Sequence, residues 1–313
     1  MESTGRAFFS TCFFCMKTNY KISIIIIGYN TCKQLKSLLF SIACLKMSEH
    51  ILEVVYIDDG STDSSFELFN TFNLEFNKNS ERFSSNRGRV FATQRGIDLA
   101  IGNWYLFIQS NEVFSSNILA EYINTIEHSR AKAYVGVVTY HSLDKLFEKY
   151  LNNLNRGVVR FLSGDIIHYK YLLFGNALIH CSVFSALQLN KKLHFYGGEE
   201  LEFAYRFNKI FPNMIKASPS SVVYRNNHPC LSDHCKRLFE FGQKNFRHLN
   251  FQMKLDIVVY GVFLKPFYIL KLLISAIYFF CSWLNKYDLK NINFYTIRLQ
   301  LLSSILRGYY SGS

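Results

Sequence analysis

Two stretches, KISIIIIGYN (Lys21–Asn30) and VVYIDDGSTD (Val54–Asp63), decide how this chain folds. Ile22 to Ile27 is a run of isoleucines interrupted only by Ser23 and stopped by Gly28. Leu52 to Ile57, apolar except for Glu53, reads as a second buried strand, cut by Asp58-Asp59-Gly60-Ser61. Apolar runs of this length without polar alternation are the pattern of strands buried on both faces. Between them, Leu35, Leu38, Leu39 and Ile42 recur at helical spacing within Cys32 to Leu45. Strand, helix and strand in this order predict parallel pairing with a right-handed crossover.

The alternation continues outward. Phe66–Phe72 and Arg89–Ile101 read as helices, the latter with Ala92, Gly96, Leu99 and Ala100 on one side; Trp104–Ile108 reads as a strand, Asn117–His128 as a helix and Tyr134–Tyr140 as a strand. Leu143–Arg160 is polar and basic, a loop or short helix. Phe174–Val183 is expected to be a buried strand, and Tyr196 to Glu200 a turn opening a helix, Leu201–Ile210, with Phe203, Phe207 and Ile210 inward. Val222–Tyr224 is expected as the last strand and Asp233–Leu249 as a basic helix. The fold class is therefore α/β, a mixed, mainly parallel sheet flanked by helices and followed by a hydrophobic helical tail. Four segments are expected: a leader at 1–20, outside the fold if translation starts at Met16; a ligand-binding half at 21–130; a second half at 131–232; and the tail at 233–313.

Composition narrows the function. The 35 bases exceed the 23 acids by 12, and 49% of residues are hydrophobic, so the chain buries a core and favours anionic partners. A nucleic-acid role would rest on charge alone, because no helix-turn-helix, zinc-finger or stacking signature accompanies it. The eight cysteines follow no small-disulfide spacing and read as reduced thiols of a cytosolic protein. Structural zinc is not expected: Cys12 and Cys15 form a lone pair, and His228, Cys230, His234 and Cys235 crowd into eight residues.

In sheets of this kind ligands bind beyond the carboxyl ends of the strands. Three polar clusters fall there: Gly28-Tyr29-Asn30, Asp58-Asp59-Gly60-Ser61 and Gln109-Ser110-Asn111-Glu112. Each alone is an ordinary turn. Together they point to one site.

The ordered set ISIIIIGYN, VVYIDDGSTD, NRGRVFATQRGIDLAIGNWYLFIQSNE, FGNALIH and YGGEELEFAYRF resembles family 2 of the inverting, GT-A-fold glycosyltransferases, over roughly Lys21 to Asn227. The resemblance implies a nucleotide-sugar donor, UDP-linked by preference. It implies that Tyr29 packs on the base, that Asp59 accepts from the base N–H with Asp58 supporting it or capping the turn, and that Gln109 lies beside the nucleotide. Glu200 falls where the family carries its general base, after the Gly-Gly turn, with Glu199 orienting the acceptor. Inversion by direct displacement needs such a carboxylate to take the acceptor proton. The clustered acids should raise one another's pKa.

This sequence departs from the family in three places, the first being Glu200, one methylene longer than the aspartate of the family's turn. The metal-binding DxD-type segment reads Gln-Ser-Asn-Glu, so both aspartates are amides and Glu112 is the remaining carboxylate. Three readings follow: Asn111 and Glu112 hold Mg²⁺ or Mn²⁺ weakly, which is preferred; Arg87, Arg89 or Arg95 neutralises the diphosphate without metal; or the protein is a non-catalytic nucleotide- or glycan-binding relative. Thr93 also replaces the family's phosphate-binding arginine, leaving Arg95 as the nearest substitute. His228, beside Pro229, is expected at the surface.

From Leu255 the chain turns apolar, but its longest uncharged run, Leu272–Asn285, is shorter than the roughly 18 to 20 residues a transmembrane helix needs. Lys254, Lys265, Lys271, Lys286, Lys290, Arg298 and Arg307 border tyrosine, tryptophan and phenylalanine. This composition suits a peripheral segment on an anionic bilayer. The resulting expectation is an enzyme at the cytoplasmic membrane face, acting on a glycan or lipid-linked oligosaccharide in surface polysaccharide synthesis; a helical lid or oligomer contact is the alternative for the tail.

Overall fold

The computed structural model describes residues 20–258 and 268–311. Apart from Tyr20, the expected leader, with Cys12, Cys15 and Met16, lies outside them, as does Lys265-Pro266. The strands are β1 (Ile22–Gly28), β2 (Ile51–Asp58), β3 (Asn77–Arg82), β4 (Trp104–Gln109), β5 (Glu112–Phe114), β6 (Ala133–Ser142), β7 (Ala177–His180) and β8 (Ile215–His228). The helices are α1 (Cys32–Ala43), α2 (Ser65–Thr71), α3 (Arg89–Leu99), α4 (Ile118–His128), α5 (Lys145–Leu151), α6 (Ser182–Ala186), α7 (Glu199–Ile210), α8 (Leu231–Gln243), α9 (Asn245–His248), α10 (Phe251–Val258), α11 (Tyr268–Leu284) and α12 (Asn291–Ser311).

The strands form one sheet in the order β3-β2-β1-β4-β7-β6-β8-β5. Successive side chains of a strand face opposite sides, so the isoleucine run feeds two cores. Ile22, Ile24 and Ile26 pack with Leu35, Leu38 and Leu39 of α1 and with Ile118 and Tyr122 of α4. Ile25 packs on the other face with Val90 and Ile97 of α3 and with Phe203 and Phe207 of α7. Ile210, expected on that inward face, is 49% exposed instead.

Register brings the polar clusters together. Gly28 pairs with Asp58 across β1 and β2, and Ile27 with Gln109 across β1 and β4. The sheet is parallel from β3 to β4 and then changes direction: β7 runs antiparallel to both β4 and β6, and β5 antiparallel to β8. Only Ala177–His180 of the expected Phe174–Val183 strand is extended. Asn176, just before it, accepts from the Tyr122 hydroxyl at 2.7 Å and donates to the Val137 and Ser221 carbonyls at 2.9 Å. The last strand is far longer than Val222–Tyr224, because β8 pairs with β6 before and after a register shift near Ser221. The basic helix breaks at Lys244, separating α8 from α9.

Helices α8 to α12 make a further layer with a buried cluster around Phe246, Met253 and Ile305, and pack on α5 through a second around Phe147, Cys235 and Ile297. Its closest contact is the crossing of α8 and α12. A Cβ on Gly242 would overlap the Ile305 carbonyl, and one on Gly308 the Phe239 carbonyl. Each helix thus needs a glycine where it meets the other's backbone. Among the described residues no helix is long and apolar enough to cross a membrane.

Candidate functional site

The loop after β1 is tied to the loop after β2. Asn30, in the left-handed region at φ 52°, donates its N–H to Ser61 Oγ at 2.8 Å, and its Oδ1 accepts from Thr62 N at 2.8 Å. Asp63 Oδ2 accepts from Cys32 N at 3.0 Å at the start of α1. These bonds fix Tyr29, which stands 46% exposed rather than in the core. Asp58 accepts from Ser61 N at 2.6 Å, the turn-capping alternative. Asp59 accepts from Arg87 N at 2.8 Å and Gly88 N at 3.0 Å, which pins the turn before α3. Burial raises its pKa, and those two N–H groups pull it back.

A cavity of about 280 Å³ opens at this edge, lined by Tyr29, Thr31, Arg89, Thr93, Gln109, Ser110, Asn111, Glu200 and Arg237, with Ile25, Ile27, Phe107 and Phe174 beneath. A smaller one of about 170 Å³ adjoins it at Asn111, lined also by Lys33, Asn226 and Asn227.

Glu199 and Glu200 begin α7 after Gly197 and Gly198, both at positive φ (82° and 88°), a backbone that favours glycine. Only Glu200 lines the cavity. Glu199 is buried and accepts from Arg89 Nε at 2.7 Å, while Arg89 Nη1 lies 3.2 Å from Glu200 Oε1. Glu199 therefore holds Arg89, which in turn holds Glu200. The Glu200 pKa is raised, chiefly by burial; Arg89 opposes the rise and Glu199 adds to it. The expected direction is found, with burial as the larger cause.

Arg95 does not reach the cavity. Its guanidinium pairs with Glu81 on β3, Nε to Oε2 at 2.8 Å. Arg89 and Thr93 do line it, because residues four apart share a helix face and Arg95 sits on another. His228 is not the expected surface histidine. Its ring is packed against Tyr140, Phe147 and His234, Nε2 is buried without a partner, and burial with the neighbouring His234 pushes its pKa down to about 3.

The residues expected to hold a divalent cation do not form a fitting set. Glu112 is fully buried, its Oε2 accepts from Gln109 N at 2.8 Å, and its Oε1 pairs with Arg225 through Nε at 2.8 Å and through Nη2. Burial pushes this carboxyl up, while Arg225 pulls it back. Gly175 leaves room for the pair, since its Cβ would lie 2.6 Å from Arg225 Nη2. Facing the cavity are the neutral Gln109, Ser110 and Asn111, a weak set for a hard cation. Among the described residues no three His, Cys, Asp or Glu side chains are grouped to hold a metal.

Arg225 and Arg237 escaped the sequence reading. Arg225 lies just past the expected strand end, and Arg237 lies in a helix that nothing in the sequence ties to the site. An unmatched arginine flanking a strand that ends near the acidic cluster was the available signal for the first; the second had none.

Comparison with known proteins agrees with this architecture. The chain is 27% identical over 213 residues to glycosyltransferase GlyG of Streptococcus pneumoniae, covering 65% of this chain and 70% of that protein. Its fold is similar to the mannosyltransferase PcManGT of Pyrobaculum calidifontis solved with GDP-Man and Mn²⁺ (TM-score 0.62, 12% identity, 95% and 89% of the two chains covered). It is also similar to S. aureus TarS solved with UDP-GlcNAc (TM-score 0.56, 14% identity, 93% and 92% covered). The sequence model of the family described as glycosyl transferase family 2 matches residues 23–190, more than half of the chain. With its GT-A-like sheet and a glutamate facing the cavity where that sheet's strands end, the chain is a glycosyltransferase and belongs to glycosyl transferase family 2.

Proposed function

We propose that the protein transfers a sugar, with inversion, from a UDP-linked donor to a hydroxyl of a glycan or lipid-linked oligosaccharide at the cytoplasmic face of the membrane, in surface polysaccharide synthesis. One observation carries the reading: the buried carboxylate of Glu200 opens onto the same cavity as Tyr29 and Gln109. Tyr29 stacks on the uracil and Asp59 accepts from its N–H, each Asp59 oxygen keeping a second lone pair for this. The acceptor oxygen attacks the anomeric carbon, its proton passes to Glu200, and the bond from that carbon to the β-phosphate oxygen breaks with its electron pair leaving on UDP. Release of UDP from a panel of nucleotide sugars, assayed with and without membranes, tests this; a panel without turnover on any donor would sink it.

Because the base works deprotonated and its pKa is raised, kcat/KM should fall tenfold per pH unit on the acid side, with the break above the ordinary glutamate value of 4.5. A pH–rate profile flat down to pH 4.5 would contradict Glu200 as base.

The membrane reading is supported by α11 and α12. Leu272, Leu273, Phe279, Phe280 and Trp283 stand exposed on α11, Tyr287 meets the Trp283 ring, and Ile292 and Tyr295 are exposed on α12. Exposed Lys286, Lys290 and Arg298 border these residues, complementary to an anionic surface. The protein should float with vesicles containing phosphatidylglycerol, and Phe279→Ser with Phe280→Ser should reduce the bound fraction at least tenfold. Equal flotation of that variant would remove the proposed surface.

A further inference from the structure

The cavity has lost its anionic cation ligands, yet a leaving diphosphate still needs positive charge. Arg225 is neutralised by Glu112, and Arg89 by Glu199 and Glu200. Arg237 is different. It projects from α8 into the cavity lining, is exposed, and among the described residues makes no ion pair; its guanidinium lies 5.8 Å from the centre of the Tyr196 ring, in the turn that leads into Glu199. Thr31 lines the same cavity, and its Oγ1 is buried without a hydrogen-bond partner.

Resting on the nucleotide-sugar reading, we propose that Arg237, with the Thr31 hydroxyl, binds the donor diphosphate in the place of a divalent cation. A guanidinium offers fixed N–H donors to two phosphate oxygens at once. As the bond between the anomeric carbon and the β-phosphate oxygen breaks, the negative charge gathers on that oxygen, where Arg237 receives it. The site thereby assigns the charge-neutralising role to the C-terminal helical layer rather than to the strand end after β4.

Calorimetric titration of the full chain with UDP and with uridine, in excess EDTA and again with Mn²⁺, tests this. The wild type should bind UDP equally with EDTA and with Mn²⁺. Arg237→Gln should weaken UDP at least about tenfold, as expected for a charge-assisted hydrogen bond, and leave uridine unchanged. Lys236→Gln, removing the neighbouring exposed cation that pairs with Asp233, should bind both as the wild type does. Loss of UDP binding in EDTA with recovery on Mn²⁺ would overturn the proposal, as would an Arg237→Gln variant that binds UDP normally. A wild type that binds neither uridine nor UDP would instead overturn the nucleotide reading and this proposal with it.

Discussion

Glu200→Gln should lower kcat for sugar transfer by about 10²- to 10⁴-fold while UDP binds within a factor of about two of wild type, the range that general-base loss produces. The substitution keeps shape and removes only basicity. Arg89 retains its bond to Glu199, so the turn of α7 that carries residue 200 stays anchored. The measurement is paired: steady-state transfer, and calorimetric titration with UDP. Transfer near the wild-type rate would remove Glu200 from the mechanism. Glu199→Gln makes the informative contrast. Its carboxylate does not line the cavity and acts through Arg89, so its loss should move the acid break of the pH profile, because Arg89 opposes and Glu199 favours the raised pKa of Glu200.

The second large effect concerns stability. Glu112→Gln should cost about 3–5 kcal/mol in a denaturant titration, because it strands a guanidinium whose side chain is 14% exposed. Replacing both partners, Glu112→Met with Arg225→Met, should recover most of this, since removing a whole buried pair is often close to neutral. The experiment also separates two roles for Glu112. A metal ligand would lose cation affinity on becoming glutamine with little change in the unfolding midpoint; an ion-pair partner loses stability and leaves UDP binding in EDTA intact. An unfolding free energy within about 0.5 kcal/mol of wild type would refute the structural role.

Strands buried on both faces were readable because they leave no choice of residue: Ile22 to Ile27, Leu52 to Ile57 and Trp104 to Ile108 each supply apolar side chains to both cores. Strand β3, Asn-Lys-Asn-Ser-Glu-Arg, was invisible for the opposite reason. It is an edge strand bonded on one side only, and its residues are polar throughout. Three-residue β5 is too short to show a period, and β8 hides its length behind a register shift. The site divides in the same way. That Tyr29 and Glu200 reach the cavity was legible because local chain chemistry, a strand end and a Gly-Gly turn, places them. Arg95 was misjudged because its position depends on helix phase, set by how α3 sits on the sheet; six residues beyond Arg89 it lies about 240° around the axis and meets Glu81. Glu112 looked available because sequence cannot show that Arg225, on a distant strand, already occupies it.

The interlocked glycines of α8 and α12 order events during synthesis. Gly308 seats against α8 at Phe239, only two residues beyond Arg237, so α8 lacks this support until α12 has left the ribosome. A nascent chain released only through α10 would carry a finished sheet, with Glu200 in place, but an unsupported wall on the phosphate side. Contacts between segments so far apart in sequence form late. The growing polypeptide would therefore hold its donor only weakly until the C-terminal helices dock, a delay that ribosome-arrested chains of graded length would reveal as a step of about tenfold in UDP affinity.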